Sequence, residues 1–207
     1  MKKIILFDFD GTIADTIPTI ISVLRKIAGE FGYEHLKDIP VEKFRDYKIS
    51  ESLKELHIPL FKLPFILKRA NDEYKKTIPL VKPIPKIREL IIKLKELEFS
   101  LGILSSNKKE NIKLFLTYNK MDVFDYVYAE KNIFGKARAL NHFMKKNNLK
   151  SEDIIYIGDE IRDIEAAHKN NIKIVAVSWG FNSKKTLLKN KPEYIIESPK
   201  ELLQIIN

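Results

Sequence analysis

The sequence contains no cysteine, which excludes disulfide bonds and thiolate metal sites. It also has no apolar run that approaches the roughly 20 residues needed to span a membrane. The chain passes directly from Met1-Lys2-Lys3 into a short apolar segment, and this does not fit a secretory signal peptide. These absences lead us to expect a cytoplasmic protein with no membrane partner.

Acidic residues are outnumbered by basic ones, and the formal net charge is +9. Such a charge raises the question of nucleic-acid binding. However, lysines outnumber arginines 31 to 6, and no basic motif interleaved with aromatic residues is present. We therefore expect no nucleic-acid partner, although a diffuse positive field can favour anionic substrates. The length of 207 residues, 44% of them hydrophobic, suits one compact core plus a modest insertion.

Two carboxylates follow an apolar run near the N-terminus. The run 4–7 ends in Asp8, Phe9 and Asp10, and Gly11-Thr12 comes next. On a strand, residues i and i+2 project to the same face, so Asp8 and Asp10 are predicted neighbours. Like charges this close raise each other's pKa unless a cation intervenes, and Mg²⁺ prefers carboxylate oxygens. Asp-x-Asp alone is a common surface pattern, but its place at a strand end predicts a site of chemistry.

A second acidic strand end lies at 153–159. The apolar segment closes in Gly158-Asp159, and Asp163 follows four residues later, so both aspartates lie on one helix face or loop edge. The alternative is an acidic first helical turn that complements the helix dipole. That alternative suits Glu160 but does not account for the Gly-Asp strand end. Glu160 is a second choice as a metal ligand.

These two segments resemble motifs of the haloacid dehalogenase superfamily of phosphohydrolases. Asp8-x-Asp10-Gly11-Thr12 is similar to the first motif, and Gly158-Asp159-x-x-x-Asp163 is similar to the fourth. The likeness is greatest to the phosphoglycolate phosphatase-like branch. Two further motifs are expected between them.

The second motif is expected where an apolar strand closes on a hydroxyl residue. The segment 101–107 ends in Ser105-Ser106-Asn107, and a strand-to-helix turn of this kind suits a phosphate oxygen. Alternatively, the serines cap the helix that begins near Lys108. Of the two, Ser105 is favoured because it follows the apolar run directly.

The third motif is a lysine at the head of a helix. Lys136 follows Gly135 at such a position, and its assignment comes almost wholly from the resemblance, since most lysines are solvated surface residues.

The resemblance implies a division of roles among these residues. Asp8 is the nucleophile that forms an aspartyl-phosphate, and Asp10 is the general acid and base. Mg²⁺ is bound by Asp8, Asp159 and the backbone carbonyl of Asp10, while Asp163 holds a metal water or orients Lys136. Lys136 and Ser105 share the phosphoryl oxygens. The further substrate-binding positions are Gly11, Thr12, Ser106, Asn107, Arg45 and Arg69.

The order of predicted elements indicates an α/β fold. Strands are predicted near 100–105, 126–129, 154–158, 173–177 and 194–196, alternating with helices such as 84–99, and this alternation predicts a parallel sheet. Residues 15–80 show helical periodicity instead, with helices from Pro18 and at 41–47, 50–56 and 59–77, the last broken or kinked at Pro64. We predict a Rossmann-like parallel-sheet core, 1–14 and 81–207, with helices on both faces, plus an inserted α-helical cap, 15–80.

The cap is expected to select the substrate. Its cations Arg45, Lys48, Lys68 and Arg69 could meet a second anionic group such as a carboxylate, although each also fits a surface position. The resemblance favours a small phosphorylated metabolite, with 2-phosphoglycolate as the named candidate. A sugar-phosphate mutase, a pyrophosphatase or a nucleotidase on the same fold remains open, whereas a dehalogenase is disfavoured. A regulatory or binding protein that retains the fold is a further alternative, but unused buried carboxylates are costly.

Overall fold

A computed structural model describes residues 3–38, 40–129 and 135–206. Met1 and Lys2, which entered the argument about a signal peptide, lie outside these ranges. Six parallel strands form one sheet in the order β3-β2-β1-β4-β5-β6. The strands are β1 (Ile4–Phe7), β2 (Ser100–Ser105), β3 (Tyr126–Ala129), β4 (Ile154–Gly158), β5 (Lys173–Val177) and β6 (Tyr194–Ile196). The predicted fold class and all the strands predicted after the cap are confirmed.

The segment between β1 and β2 is helical, as predicted. It contains α1 (Ile17–Ala28), α2 (Ile49–Glu55) and α3 (Leu63–Thr77), with short 3₁₀ turns between them. The helix predicted at 41–47 is a 3₁₀ turn, Val41–Asp46, and Glu34–Asp38 is another that was not predicted. The helix predicted at 59–77 is divided just before Leu63, one residue earlier than the break predicted at Pro64. Pro64 lies in the first turn of α3, where a backbone N–H has no partner within the helix, so its missing N–H costs nothing.

Six helices cover the two faces of the sheet. They are α4 (Ile87–Glu96), α5 (Lys109–Tyr118), α6 (Lys136–Lys146), α7 (Ile161–Lys169), α8 (Lys184–Lys189) and α9 (Leu202–Ile206). The helix predicted at 84–99 is shorter, because Lys86 adopts a left-handed conformation (φ 66°) just before α4. Among the described residues, no helix is both long and apolar enough to cross a lipid bilayer.

Alternate strand residues pack on opposite faces. Ile5 and Phe7 lie in one apolar cluster with α4, α5 and α9, whereas Ile4 and Leu6 lie in a second cluster with α6, α7 and α8. Because both faces are buried, the strands are nearly continuous apolar runs rather than alternating ones. The cap has a small cluster of its own around Ile27, while its Tyr74 joins the first of the two core clusters. The division into 1–14 with 81–207 and 15–80 stays a prediction.

The sheet order reverses at β1, which pairs with β2 on one side and β4 on the other. In open α/β sheets, ligands bind outside the carboxyl ends of the strands at such a reversal. Asp8 follows β1, Asp159 follows β4, and Ser105 ends β2. The topology alone therefore brings the acidic strand ends to one edge.

Candidate active site

Three buried carboxylates lie together where β1 and β4 end. They belong to Asp8, Asp159 and Asp163, and one oxygen of each lies within 4.8 Å of the others. None of the three residues is more than 1% exposed. The Asp8 N–H donates to the carbonyl of Ile157 at 2.8 Å, so the pairing of β1 with β4 continues into the first aspartate. The sheet register thus sets where this cluster forms.

Lys136 lies inside the acidic cluster. From the start of α6, its Nζ donates to Asp8 Oδ2 at 2.7 Å and to Asp163 Oδ1. Burial lowers the pKa of Lys136, but the charges of Asp163 and Asp8 outweigh it, so that its pKa is raised. The hydroxyl of Tyr156 also donates to Asp163 Oδ1, at 2.9 Å. Lys136 is therefore a buried ammonium held between two aspartates.

One lysine does not balance three carboxylates. Burial raises the pKa of Asp8 to about 7, despite the lowering effect of Lys136. Burial, together with the charges of Glu160 and Asp8, raises the pKa of Asp159 well above its usual value. A set of oxygen ligands without histidine or cysteine suits a hard cation such as Mg²⁺ and not Zn²⁺. Asp10 is predicted to bind the metal through its backbone carbonyl. Its side chain is not a member of this cluster.

The Asp159 carboxylate is fixed by hydrogen bonds from two segments, one of which follows Asp10. Thr12 Oγ1 donates to Asp159 Oδ1 at 2.7 Å, and the Phe181 N–H donates to Oδ2 at 2.7 Å. Thr12 is fully buried and its hydroxyl supports Asp159, while the substrate contact of Thr12 stays a prediction.

Glycine is required beside Asp159. Gly11 has φ 76°, and a Cβ there would lie 2.4 Å from Asp159 Oδ2. Its N–H donates to the carbonyl of Ala14 at 2.9 Å, and the substrate-binding role of Gly11 stays a prediction. On the opposite side, a Cβ at Gly180 would lie 2.2 Å from the Cβ of Asp159. Two backbone segments thus approach this aspartate too closely for any side chain.

Asp10 has a different environment from Asp8. Asn107 Nδ2 donates to its Oδ1 and Oδ2 at 3.2 and 3.0 Å, and the hydroxyl of Tyr74 in α3 lies 3.4 Å from Oδ1. Asn111 Nδ2 donates to Asn107 Oδ1 at 2.9 Å, which fixes the direction of the Asn107 amide. Burial raises the pKa of Asp10, which favours its protonated form. Asn107 therefore orients Asp10, and its contact with the substrate stays a prediction.

The two candidate serines have different partners. Ser105 is 1% exposed, and its Oγ accepts a hydrogen bond from the Asn107 N–H at 3.0 Å. Ser106 is half-buried, and its Oγ accepts from Arg162 Nη1 at 3.3 Å. Both lie at the end of β2, beside the acidic strand ends, and the preference for Ser105 as the phosphate ligand stays a prediction.

The two cap arginines are engaged in structural contacts. Arg45 donates to the backbone carbonyls of Phe181 and Gly180 at 3.1 and 3.0 Å. Arg69 donates twice to Glu30, at 2.7 and 2.8 Å, and once to Glu73 at 2.6 Å. These bonds occupy both guanidinium groups, so the geometry does not support the substrate contacts predicted for Arg45 and Arg69.

Four residues of the site were not predicted. Tyr74 and Tyr156 donate to Asp10 and Asp163, Arg162 contacts Ser106, and the Asn182 amide joins the start of α7 to the cap. The sequence does contain a signal for Arg162, because a cation in the first turn of a helix is unfavourable next to the positive end of the helix dipole, and this indicates a role other than helix stability. The other three look like ordinary helix, strand and loop residues in the sequence.

A cleft of about 120 Å³ opens beside this cluster, between the cap and the core. Its walls include Lys136 and Arg162 from the core and Tyr47 and Lys48 from the cap. The cleft therefore reaches the acidic cluster at Lys136, the ammonium partner of Asp8 and Asp163.

The fold and this edge of the sheet define a hydrolase of the α/β class. A family model described as haloacid dehalogenase-like hydrolase matches residues 5–177, and the chain belongs to this family.

Individual relatives agree along almost the whole length. A phosphoglycolate phosphatase of Synechococcus elongatus is 31% identical over 203 residues, covering 98% of this chain and 96% of the relative. The pyrophosphatase PpaX of Bacillus mycoides is 23% identical over 208 residues, covering 98% and 96%. A crystal structure described as a predicted phosphatase from Clostridium acetobutylicum superposes with a TM-score of 0.86 at 25% identity, covering 100% of this chain and 98% of that one. The chain is accordingly a phosphoric monoester hydrolase of the phosphoglycolate phosphatase-like branch.

Proposed function

We propose that the protein is a Mg²⁺-dependent phosphatase that hydrolyses small phosphate monoesters through a phosphoenzyme on Asp8. The observation that carries this proposal is the meeting of Asp8, Asp159 and Asp163 around Lys136, with Asp10 close by in the chain but in a separate environment. A phosphate monoester is anionic, so its hydrolysis requires charge neutralisation and an aligned nucleophile. The site offers both.

Asp8 is oriented for attack on phosphorus. Its Oδ1 accepts the Phe9 N–H at 2.8 Å, and its Oδ2 accepts from Lys136 at 2.7 Å. The carboxylate oxygen forms a bond to phosphorus while the bond from phosphorus to the leaving oxygen breaks, which gives an aspartyl-phosphate. Water then breaks the new phosphorus–oxygen bond, and inorganic phosphate leaves.

Asp8, Asp159 and the backbone carbonyl of Asp10 would hold Mg²⁺, with Asp163 binding through a water or orienting Lys136. When bound, Mg²⁺ supplies positive charge that neutralises the phosphoryl oxygens and keeps the carboxylates ionised. Lys136 and Ser105 bind the remaining phosphoryl oxygens.

Asp10 moves the proton. Its raised pKa lets it carry a proton that it donates to the leaving oxygen, and as a carboxylate it then accepts a proton from the attacking water. Asn107 and Tyr74 hold it in position for both steps. Asp8 and Asp10 thus divide the nucleophilic and the acid–base work between two environments.

The substrate that we propose is a small phosphorylated metabolite, with 2-phosphoglycolate as the named candidate. The Synechococcus elongatus relative supports this choice by its name and its identity of 31%. Pyrophosphate is the second candidate, supported by the Bacillus mycoides relative. Both substrates carry a further anionic group on the side of the leaving oxygen.

The two N-terminal aspartates should fail in different ways. Asp8→Asn should form no phosphoenzyme, whereas Asp10→Asn should accumulate one, because hydrolysis of the intermediate slows by about 10²–10⁴-fold without the base. The measurement is rapid quenching with p-nitrophenyl phosphate, followed by mass spectrometry of the peptide that contains residues 4–12.

Asp15→Asn is the matched control, because Asp15 is an exposed aspartate of the same segment and should retain full activity. Phosphate on a residue other than Asp8, or normal turnover by Asp8→Asn, would overturn the mechanism.

A further inference from the structure

The cleft between cap and core contains an arginine that the mechanism above does not use. Arg162 lies in the first turn of α7, and its side chain is 20% exposed. Its Nη1 donates to Ser106 Oγ at 3.3 Å, and its Nη2 donates to Glu160 Oε1 at 2.6 Å. The guanidinium is therefore held next to the loop that follows β2.

Helix physics disfavours a cation at this position. The N-terminal end of a helix carries partial positive charge, and Arg162 adds a full positive charge to the first turn of α7. Partial burial adds a desolvation cost, which the negative charges of Glu160, Asp8 and Asp163 outweigh, so that the pKa of Arg162 is raised. Arg162 therefore keeps its positive charge in the cleft and can bind an anion.

Arg162 also lies within electrostatic reach of both catalytic aspartates. Burial raises the pKa of Asp8 and of Asp10, and the charge of Arg162 opposes that rise in each case. Lys136 lines the same cleft. In the proposed mechanism the leaving oxygen lies at Asp10, whose partner Asn107 is next in the chain to Ser106, the residue that Arg162 contacts.

The other candidate cations in or near the cleft are less suited to bind that group. Arg45, which does not line the cleft, is bonded to two backbone carbonyls, which an incoming anion cannot displace without moving the chain. Lys48 pairs with Glu165 at 2.5 Å, and Lys169 is at the end of α7; both are exposed, so water screens their charges. Arg162 differs because one of its partners, the Glu160 carboxylate, is a side chain that lines the cleft.

We propose that Arg162 recognises the second anionic group of the substrate, a carboxylate or a terminal phosphoryl group on the leaving-group side, and that this group replaces Glu160 as its partner. The inference rests on the proposed phosphatase function and names the residue that sets its substrate class. A guanidinium presents a planar fork of donors that matches either group with two parallel hydrogen bonds, which an ammonium cannot do. Arg162 is thus a specificity-determining residue contributed by the core and not by the cap.

Steady-state kinetics on three substrates test the proposal. The substrates are 2-phosphoglycolate, pyrophosphate and p-nitrophenyl phosphate, and the last of these has no second anion. Arg162→Lys keeps the charge and loses the fork. It should raise KM for 2-phosphoglycolate or for pyrophosphate about tenfold or more. Its kcat/KM for p-nitrophenyl phosphate should fall less than its kcat/KM for that anionic substrate, because p-nitrophenyl phosphate has no second anion for the fork to bind.

Glu160→Gln separates recognition from a structural role. If the substrate competes with Glu160 for Arg162, removing the carboxylate should lower KM for the same anionic substrate severalfold. If the ion pair only supports the fold, Glu160→Gln and Arg162→Lys break the same contact and should raise KM together. Arg88→Gln, at an exposed position of α4, is the control for loss of one positive charge and should change neither KM.

The outcomes distinguish the two levels of inference. Selective loss with 2-phosphoglycolate assigns a carboxylate to Arg162, and selective loss with pyrophosphate assigns a phosphoryl group. Equal loss on all three substrates, or a rise in KM with Glu160→Gln, overturns the role of Arg162 while the phosphatase activity stands. Wild-type protein that hydrolyses none of the three in Mg²⁺ overturns the proposed function and this inference together. Thermal melting of each variant shows whether its fold is intact.

Discussion

A surplus of buried negative charge governs the site at the scale of single residues. Asp8, Asp159 and Asp163 lie together, and among the described residues Lys136 is the ammonium that contacts this cluster, through Asp8 and Asp163. At a given pH, the folded protein without metal therefore binds protons that the unfolded chain would release. The raised pKa values of Asp8 and Asp159 indicate this. Protons and a divalent cation are then competitors for the same oxygens.

This competition gives a pH-dependent response to Mg²⁺. The pKa of Asp8 rises from 3.8 to about 7 on folding. A raised carboxyl pKa means that stability from this group falls as pH rises through that window, when the metal is absent. Mg²⁺ removes the repulsion between the ionised groups, so it should raise Tm more at about pH 8 than at about pH 6. Differential scanning fluorimetry with and without MgCl₂ measures both shifts.

Asp159→Asn should abolish most of the Mg²⁺-induced shift, and Asp15→Asn should leave it unchanged. A shift of equal size at both pH values would argue that protons and Mg²⁺ do not share this site. Excess EDTA should remove activity toward p-nitrophenyl phosphate.

Gly180 controls how closely the chain approaches Asp159. Gly180→Ala places a Cβ 2.2 Å from the Cβ of Asp159, so one of the two segments must move. We expect a loss of stability of about 1–3 kcal/mol, as for overpacking, together with a higher Mg²⁺ requirement. Urea unfolding and activity titrations with MgCl₂ measure the two effects.

The matched control is Gly29→Ala. Gly29 has helical geometry (φ −63°), and the nearest atom to a Cβ there is 3.6 Å away. This variant should gain about 0.4–1 kcal/mol, since alanine restricts the unfolded chain. If both variants behave alike, steric pressure on Asp159 is not the cause.

At the scale of elements, one loop joins the cap to the acidic cluster. The Asn182 side chain accepts the Ile161 N–H at 2.8 Å and donates to the carbonyls of Arg45 and Tyr47 at 2.8 and 3.2 Å. The neighbouring Phe181 N–H holds Asp159. The position of the 3₁₀ turn Val41–Asp46 and the position of Asp159, the proposed metal ligand, therefore depend on the same short segment.

Asn182→Ala should destabilise the protein through this joint. Asn182 is 1% exposed, so the variant leaves the Ile161 N–H and the carbonyls of Arg45 and Tyr47 without the Asn182 amide. We expect the free energy of unfolding to fall by about 1–3 kcal/mol. Asn190→Ala is the control, because the Asn190 amide bonds only to carbonyl oxygen within its own helix region, at Thr186, from a half-buried position. In urea unfolding, Asn182→Ala should lose more unfolding free energy than Asn190→Ala. Equal losses would mean that the Asn182 bonds contribute little to stability.

Elements of the core were predictable, while those of the cap were predictable only in part. A buried parallel strand such as 154–158 is an apolar run with a defined end, and the polar group at that end follows from the topology, as for Asp159. The 3₁₀ turns of the cap lack such a signal, since short turns have weak periodicity. Partners such as Tyr74 for Asp10 depend on how α3 packs on the core, which no local pattern encodes. The substrate contacts predicted for Arg45 and Arg69 stay predictions, and the bonds of Arg45 to Gly180 and Phe181 and of Arg69 to Glu30 join residues that are distant in sequence.

At the scale of the whole molecule, the net charge of +9 surrounds a site proposed for anions. Such a field raises the encounter rate with anionic substrates and is screened by salt. We expect kcat/KM for 2-phosphoglycolate to fall severalfold as NaCl rises, and to fall more than for p-nitrophenyl phosphate, which carries one charge less. Initial rates at constant Mg²⁺ over a salt series measure this. A drop in kcat of the same size would indicate a salt effect on chemistry instead.

The central place of β1 in the sheet also governs how the protein is made. β1 is synthesised before its partners β2 and β4, which begin at Ser100 and Ile154, and the Phe181 N–H that secures Asp159 is synthesised later still. A nascent chain that carries residues 4–80, with both Asp8 and Asp10, therefore lacks the groups that hold Asp159 in place. We expect the proposed Mg²⁺ site to form only after residue 181 is synthesised, and a polypeptide that stops before it to be inactive.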